Sequence, residues 1–378
     1  MLSLAVIPGN SMDDLAEKGV LARLSSYYNP ERFFDRVVVF SPFEESVREV
    51  AGMQIVPTKD HQLPSRLGSY KIDLVRAYGG GTPADMAVFY RAARVPVIVS
   101  IHDKRASMIH EGVTCADVVF VVSQELREIL VSRGVAPSRI MVVPNGVDDV
   151  LMRPLPPESF SDLGLKYPFK YKLLHVGRKS PEKNIEAIIH ALVQLGEDYG
   201  LVAVGQGDAA FYEALALAQG VSDRCIFLPG VSQEELVRFY NWADCVCHPS
   251  RSEAMCNVLL EALACGRAVV STVTAATGVG DGPMSAMRLL ADPEDVGLLA
   301  QMLRSLCEDA REREALCSRA RKSVEHLFLF KTQAHEVACY RQVLSMGNQG
   351  AFKRGWRDDA CLCGINAVRR LRRLLRVA

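Results

Sequence analysis

Two glutamates, Glu253 and Glu261, have a spacing that suggests chemistry. Glu253 lies in a polar turn after the apolar segment 245–248, and Glu261 lies on a helix predicted over about residues 255–264. A strand, a turn and a helix in this order place the helix N-terminus, with its unpaired N–H groups and positive dipole end, at the carboxyl edge of a parallel sheet. The stretch therefore predicts two carboxylates beside an anion-binding turn, and an exposed helix carboxylate is the alternative interpretation.

Two cations follow the strand predicted at residues 172–176. Arg178 lies in the loop after this strand, and Ser180 and Pro181 predict a helix that starts there and continues to about residue 195, with Lys183 in its first turn. Cations at a helix N-terminus oppose the dipole by roughly 0.3–1 kcal/mol each. An anion bound between the two side chains removes this conflict, and two solvated side chains are an equally good alternative.

Three further candidates also come directly after predicted strands. Gly9 lies in the small-residue turn after the first strand, and Gly205 lies in a Gly-x-Gly loop that suits either close approach of a ligand or an ordinary turn. His102 comes directly after the strand predicted at residues 95–101. A lone histidine is more often structural than catalytic, but the carboxyl end of a parallel strand favours a functional role.

Short apolar segments separated by helix-length stretches predict an α/β protein with two doubly wound domains, each with a parallel sheet covered on both faces. The turn residues and prolines of 144–157 indicate a linker, so that residues 1–150 form one domain and 165–323 the other. The predicted strands are residues 4–7, 37–40, 54–56, 74–77, 95–101, 118–122 and 140–143, then 172–176, 201–204, 225–228, 245–248, 268–271 and 288–290.

The composition is that of a soluble globular protein, with 49% hydrophobic and 23% charged residues in a chain of 378. Because Lys+Arg and Asp+Glu both number 44, no nucleic-acid partner is expected. The 11 cysteines have no zinc-ligand spacing, which favours reduced thiols in a cytoplasmic protein. The first residues lack the features of a signal peptide, and no apolar segment approaches the ~20 residues that span a bilayer.

Several motifs together resemble the retaining GT-B glycosyltransferases of family 4. They are Gly177-Arg178 with Lys183-Asn184, Val204-Gly205-Gln206-Gly207, Phe227-Leu228-Pro229-Gly230, and Pro249-Ser250-Arg251-Ser252-Glu253 leading to Glu261-Ala262-Leu263-Ala264-Cys265-Gly266. The resemblance is strongest over residues 172–272, and Pro144-Asn145-Gly146-Val147-Asp148 and His102-Asp103 also fit the pattern.

This resemblance implies two Rossmann-like domains, with the nucleotide-sugar donor held mainly by the second and the acceptor mainly by the first. A C-terminal helix over about residues 324–344 would cross back to the first domain. Arg178 and Lys183 would contact the donor diphosphate, Glu253 the donor sugar and Glu261 the ribose hydroxyls, while His102 would face the donor sugar. The other implied donor-binding residues are Gly9, Gly205, Ala254, Met255, Cys256, Asn257 and Val258.

The expected activity is therefore metal-independent transfer of a sugar, with retention, from a nucleoside-diphosphate sugar to a glycan or lipid-linked acceptor. UDP and GDP are the expected donor nucleotides, and no cofactor is expected. A glycoside hydrolase with Glu253 and Glu261 as its carboxyl pair, a sugar-nucleotide epimerase and a non-catalytic nucleotide-sugar-binding protein are the alternatives.

The segment 352–378 is a basic tail in which apolar residues of 365–378 share one helical face. Such a helix could lie on an anionic membrane surface, which would make the protein peripheral on the inner face of a membrane, or it could pack on its own protein.

Overall fold

The structure of the protein is a computed structural model that describes residues 1–17, 20–90 and 95–348. It divides into two compact units. Of the described residues, the first unit comprises 1–121, 126–143 and 333–348, and the second comprises 122–125 and 144–332. The basic tail at 352–378 and its predicted helical face lie outside the described residues.

The first unit is built on a sheet with the strand order β3-β4-β2-β1-β5-β6-β7-β8. All of its neighbouring pairs are parallel except β3 with β4. Its strands are β1 (Ser3–Ile7), β2 (Arg36–Ser41), β3 (Arg48–Val50), β4 (Met53–Pro57), β5 (Leu74–Tyr78), β6 (Val97–Ile101), β7 (Val118–Val121) and β8 (Ile140–Val142).

The second unit has a parallel sheet with the strand order β11-β10-β9-β12-β13-β14. Its strands are β9 (Tyr171–Val176), β10 (Tyr199–Val204), β11 (Cys225–Leu228), β12 (Cys245–His248), β13 (Ala268–Thr272) and β14 (Met287–Leu290). Each predicted strand is present in one of the two sheets, so the doubly wound α/β class is confirmed.

Helices connect most of these strands. In chain order they are α1 (Met12–Glu17), α2 (Leu21–Tyr28), α3 (Leu63–Ser69), α4 (Thr82–Phe89), α5 (Glu111–Thr114), α6 (Gln124–Ser132), α7 (Ser161–Lys166), α8 (Ile185–Gln194), α9 (Ala210–Ala218), α10 (Gln233–Trp242), α11 (Asn257–Ala264), α12 (Val273–Thr277), α13 (Asp281–Met284), α14 (Val296–Glu308), α15 (Ala310–Ser323) and α16 (Leu329–Asn348).

Burial explains why the apolar segments form strands. Every residue of β1, β5, β6 and β12 is buried, as expected for parallel strands that helices cover on both faces. β3 was not predicted, because Arg48, Glu49 and Val50 do not form a continuous apolar segment. None of the three residues is buried. β3 forms an antiparallel edge of the first sheet.

The last helix differs in its bounds from the prediction of one helix over residues 324–344. A short 3₁₀ turn, Glu325–Leu327, comes first, and α16 then begins at Leu329. Residues 333–348 belong to the first unit. There Tyr340 of α16 is fully buried and packs edge-on against Phe34, with the ring centroids 5.0 Å apart, so α16 completes the first hydrophobic core.

Among the described residues, no helix combines the length and the hydrophobicity that a transmembrane segment needs. The nine cysteines found in this part of the chain all carry free thiols.

Candidate functional site

The order of the second sheet changes direction beside β9. Strands β10 and β11 lie on one side of it, and β12, β13 and β14 lie on the other. Ligands of parallel α/β sheets bind outside the carboxyl ends of the strands at such a point. The loops after β9 and β12 carry Arg178, Lys183 and Glu253, so the structure brings these three predicted site residues to the same edge of the sheet.

The loop after β9 packs tightly on the loop after β10. The Gly177 N–H donates to the Val204 carbonyl at 3.0 Å, and the Lys179 N–H donates to the Gln206 carbonyl at 2.8 Å. Gly205 has φ 153°, and a Cβ on it would lie 1.9 Å from the Gly177 carbonyl oxygen. Only glycine fits at this position, so Gly205 is required for the packing of the two loops whether or not it binds a donor.

Lys179 fastens these loops and was not predicted as a site residue. Its ammonium donates to the Gly205 carbonyl and, at 2.7 Å, to the Leu228 carbonyl. Burial lowers the pKa of Lys179. One side chain thus holds the ends of β10 and β11 together, and no local signal in the sequence distinguishes it from a solvated lysine.

The prediction that α8 starts at Pro181 with Ser180 as its N-cap is wrong. Pro181–Lys183 is a 3₁₀ turn, Asn184 adopts the left-handed conformation with φ 55°, and the helix begins at Ile185. The Ser180 side chain makes no capping hydrogen bond. Asparagine tolerates this conformation, and its side-chain amide is fixed by the Pro293 carbonyl at 2.8 Å. Lys183 therefore ends a turn that precedes α8.

Glu253 receives two hydrogen bonds from cationic side chains. Its Oε1 accepts from the Lys183 ammonium and, at 3.0 Å, from Nε2 of His248, the last residue of β12. The Glu253 side chain is 12% exposed, and that of His248 is fully buried. The sequence predicts contacts of Lys183 and Glu253 with separate parts of the donor, but the structure joins the two side chains. It also adds His248, which the sequence does not predict as a site residue.

The charges of this group depend on one another. Burial opposes ionisation of Glu253, but the hydrogen bonds and positive charges of His248 and Lys183 outweigh it and lower the pKa of Glu253 to about 2. Burial also disfavours the His248 imidazolium, but Cys256 and Glu253 outweigh this and raise the pKa of His248 to about 9. At neutral pH the site therefore holds an anionic glutamate between two cations.

The turn after Glu253 leads into α11. α11 begins at Asn257, two residues later than predicted, and Cys256 is its N-cap residue. The Cys256 side chain makes no capping hydrogen bond. Ala254, Met255 and Cys256 are buried, while Asn257 is exposed and Val258 is half-buried. The Asn145 side chain donates to the Asn257 carboxamide oxygen at 3.0 Å. The N–H groups of this first turn are suited to an anion.

Glu261 lies one turn after Asn257 on α11, as the sequence predicts. Its Oε2 accepts a hydrogen bond from the Tyr240 hydroxyl at 2.8 Å. Tyr240 is fully buried, and burial, followed by the charge of Glu261, raises its pKa well above the ordinary value. The neutral phenol therefore orients the Glu261 carboxylate.

One group in the described part of the chain has the ligand types of a metal site. An imidazole nitrogen of His248, a carboxylate oxygen of Glu253 and the thiol of Cys256 all lie within 4.8 Å of one another, and this is a set that Zn²⁺ accepts. The Lys183 ammonium, however, already contacts the same glutamate oxygen. Because that ammonium supplies the positive charge a metal ion would bring, metal independence stays our prediction.

Gly9 and His102 belong to the first unit, where both lie near Tyr78. A Cβ on Gly9 would lie 2.8 Å from the Tyr78 carbonyl oxygen. The His102 ring is nearly parallel to the Tyr78 ring, with the centroids 6.3 Å apart. Burial and the nearby Arg76 lower the pKa of His102 to about 4. His102 is therefore a neutral imidazole at physiological pH.

Arg76 is a buried cation that was not predicted. Its guanidinium donates to the Ser100 hydroxyl at 2.8 Å and to Glu336 and Tyr340 of α16, and it lies 4.4 Å from the centroid of the Tyr78 ring. Burial alone would lower the pKa of Arg76, but Glu336 outweighs it and holds the pKa well above the ordinary value. Arg76 thereby ties α16 to β5.

Comparison with known families matches both units. Residues 163–323 match the family model described as "Glycosyl transferases group 1", and residues 15–151 match "Glycosyltransferase Family 4". The D-inositol 3-phosphate glycosyltransferase of Mycobacterium sp. (strain JLS) is 37% identical over 220 residues, which are 56% of this chain and 48% of that protein. The chain thus spans about half the length of the curated relatives it matches.

Solved structures show the same fold. Sucrose-phosphate synthase from Thermosynechococcus elongatus superposes with a TM-score of 0.71 at 18% identity, covering 91% of this chain and all (100%) of that one. HepE of Anabaena in complex with UDP-glucose also gives 0.71 at 18% identity, with 90% and 99% covered. Two Rossmann-like domains of this kind define the GT-B class. Within that class, the chain belongs to the group 1 and family 4 glycosyltransferases.

Proposed function

We propose that this protein is a retaining, metal-independent glycosyltransferase that moves a sugar from a nucleoside-diphosphate sugar to an acceptor hydroxyl. The observation that carries the proposal is the Lys183–Glu253 ion pair beside the N-terminus of α11, at the switch point of the second sheet. This edge offers a cation and free helix N–H groups to a diphosphate, and a carboxylate to sugar hydroxyls.

The donor diphosphate would lie between the two loops. Arg178 is exposed and supplies a planar fork for phosphate oxygens, while Lys183 supplies a point charge. As the sugar–phosphate bond breaks, negative charge grows on the leaving nucleoside diphosphate. A single preorganised hydrogen-bond donor facing such a charge contributes about 10²–10³ in rate. These cations and the α11 N–H groups would therefore stabilise the leaving group without a metal ion.

The reaction balances without another reagent. The bond from the anomeric carbon to the phosphate oxygen breaks, and the acceptor oxygen forms its bond to that carbon on the same face. The proton of the acceptor hydroxyl passes to an oxygen of the leaving phosphate. Glu253, held as an anion by His248 and Lys183, would position the sugar rather than attack it.

The remaining predicted residues would orient the substrates. Glu261, fixed by Tyr240, would accept hydrogen bonds from the ribose hydroxyls. His102 in the first unit is neutral, so it would offer a hydrogen bond to the donor sugar without adding charge. Gly9, Gly205 and the backbone of residues 254–258 would complete the contacts with the donor.

A binding screen followed by a transfer assay tests this proposal. Calorimetry with UDP, GDP, ADP and their sugars identifies the donor, and NMR of the product gives the anomeric configuration. We expect UDP or GDP to bind and the product to keep the donor's configuration. HepE, with which this protein shares the fold, was solved with UDP-glucose, which supports including this donor first.

Variants assign the roles. Lys183→Ala and Glu253→Gln should abolish transfer with the fold intact by circular dichroism. Lys170→Ala is a matched control, because Lys170 belongs to the same unit and forms an exposed ion pair with Asp198 at 2.7 Å. Wild-type turnover in either site variant would overturn the assignment.

Two other functions have separate signatures. A sugar-nucleotide epimerase would convert the donor without an acceptor, and a non-catalytic binding protein would bind the donor without turnover. A glycoside hydrolase would need Glu253 and Glu261 as facing acid and nucleophile. Because Glu253 pairs with Lys183 and His248 while Glu261 pairs with Tyr240, the observed contacts favour two positioning roles.

For the acceptor we propose a glycan or a lipid-linked molecule, used by a cytoplasmic enzyme that associates peripherally with the membrane through residues 365–378. Phosphorylated polyols belong in the same acceptor screen, since the matched relatives are named D-inositol 3-phosphate glycosyltransferases. Flotation with anionic vesicles, with and without residues 352–378, tests the membrane proposal. Equal flotation of the two proteins would refute it.

A further inference from the structure

His248 is a buried side chain that enters the proposed reaction only through its contact with Glu253. Its Nε2 donates to Glu253 Oε1 at 3.0 Å, and the Lys183 ammonium binds the same oxygen. The backbone of His248 is fixed in the sheet, where its carbonyl accepts from the Ser271 hydroxyl at 2.8 Å. Lys183, by contrast, reaches Glu253 at the end of a long, flexible side chain that follows a turn. The two cations therefore differ in how readily they can leave the carboxylate.

A bound donor would change this balance. If Lys183 contacts the diphosphate, as the proposed function requires, its charge is drawn to a group more highly charged than a carboxylate. Glu253 is only 12% exposed, and a buried carboxylate that loses its partner is strongly disfavoured. A second partner that cannot move away is then needed to keep Glu253 charged and in place.

We propose that His248 is the positioning residue of the donor-sugar site, whose Nε2–H holds the Glu253 carboxylate toward the sugar while Lys183 serves the diphosphate. This inference rests on the proposed function and adds to it a residue that acts through Glu253. The titratable groups that face His248 are Glu253, Cys256 and the His175 ring, and Lys183 shares the Glu253 oxygen with it. Of these, Glu253 is the one that would face the sugar.

His175 provides a matched control for His248, because it is a second buried histidine ring beside it that makes no bond to Glu253. It is also fully buried, and it stacks on His248 with an interplanar angle of 5° and centroids 5.3 Å apart. Its Nδ1 lies 3.0 Å from the Cys247 carbonyl oxygen, so it donates to the backbone and not to Glu253. His175→Asn keeps a donor near that position and disturbs the stack without removing the bond to Glu253.

The test separates nucleotide binding from turnover. His248→Phe fills the space without an N–H, while His248→Gln places an amide N–H near the position of Nε2. We expect His248→Phe to bind the nucleoside diphosphate within about 3-fold of wild type and to lose about 10²-fold in kcat/KM for the donor sugar, the scale of a misplaced positioning group. His248→Gln should have a kcat/KM at least about tenfold higher than that of His248→Phe.

His248→Asn decides the case if His248→Phe does not fold. Its amide is polar but too short to reach Glu253, so it should lose turnover while His248→Gln retains it. Equal turnover in His248→Gln and His248→Asn would overturn the inference. So would a loss of nucleotide binding and turnover in the same proportion, or a His175→Asn variant with the same split between them as His248→Phe.

The failure of this inference and the failure of the proposed function give different results. A wild-type protein that binds no nucleoside diphosphate and transfers no sugar refutes the function itself. A wild-type protein that transfers sugar, together with His248 variants of unchanged kcat and KM, refutes only the role of His248.

Discussion

Replacing Glu253 by glutamine should remove a pH-dependent part of the protein's stability. In the native protein, Glu253 and His248 form a buried, hydrogen-bonded ion pair. Glutamine is isosteric with glutamate but carries no charge, so the variant keeps the packing and loses the electrostatic coupling. The wild-type free energy of unfolding should exceed that of Glu253→Gln most where both members of the pair are charged.

The two pKa shifts define that range. The pKa of His248 is raised from 6.5 to about 9, so its contribution is complete below pH 6.5 and is lost as the pH rises through about 9. The pKa of Glu253 is lowered from 4.5 to about 2, so its contribution is present above pH 4.5 and is lost as the pH falls through about 2. The difference should therefore be largest between pH 4.5 and 6.5.

The magnitude follows from the same values. A displacement of the His248 pKa from 6.5 to about 9 corresponds to up to about 3 kcal/mol, since one pKa unit equals about 1.4 kcal/mol. The Glu253 displacement reports the same pair and is not added to it. Because Cys256 raises this pKa more than Glu253 does, Glu253→Gln removes only part of the shift, and we expect the difference in unfolding free energy to fall by on the order of 1 kcal/mol as the pH is raised toward 9.

Urea denaturation of both proteins at steps of pH measures this difference. Glu294→Gln is the control, because Glu294 is exposed and pairs with Arg251, which stays charged over the whole range. Its stability should follow that of the wild type in parallel above neutral pH. If Glu253→Gln also runs parallel to the wild type from pH 5 to 9, the buried pair is not charged as inferred.

Three further changes test other parts of the site. Tyr240→Phe removes the hydrogen bond to Glu261 and should raise KM for the donor about tenfold with little change in kcat. Tyr167→Phe is the control, because the buried Tyr167 hydroxyl has no hydrogen-bond partner. Equal KM values in the two variants would contradict the role of Tyr240. Lys179→Met leaves the Gly205 and Leu228 carbonyls without their shared donor. The unfolding free energy measured by urea denaturation should therefore fall by about 1–3 kcal/mol. Unchanged stability would show that this contact is dispensable. Dialysis against EDTA should leave the initial rate of transfer unchanged, and a rate that falls and returns with Zn²⁺ or Mg²⁺ would refute metal independence.

Local sequence pattern determined the secondary structure of the sheets. Continuous apolar segments such as Val37–Phe40 and Val118–Val121 leave no polar face, so they form strands only where both faces are covered. Glu261 was placed correctly on α11 for a similar reason, because helical spacing puts it one turn beyond Asn257. The polar edge strand β3 has no such signal and was missed.

The start of α8 shows where local rules fail. Ser180 and Pro181 have the residue types of an N-cap and a first helical position. A left-handed Asn184, fixed by the distant Pro293 carbonyl, delays the helix to Ile185. A hydrogen bond between residues far apart in the chain therefore overrides a local preference worth about 1 kcal/mol.

The sequence indicates which residues could do chemistry, because each follows a strand or lies on the helix after one. They are Lys183, Glu253, Glu261 and His102. The sequence does not determine their partners. Only the order of strands β9 and β12 in the sheet brings Lys183 and His248 onto the same oxygen of Glu253. The physical reason is that a parallel crossover joins strands distant in the chain, so the charges that decide how Glu253 ionises come from segments that no local pattern connects.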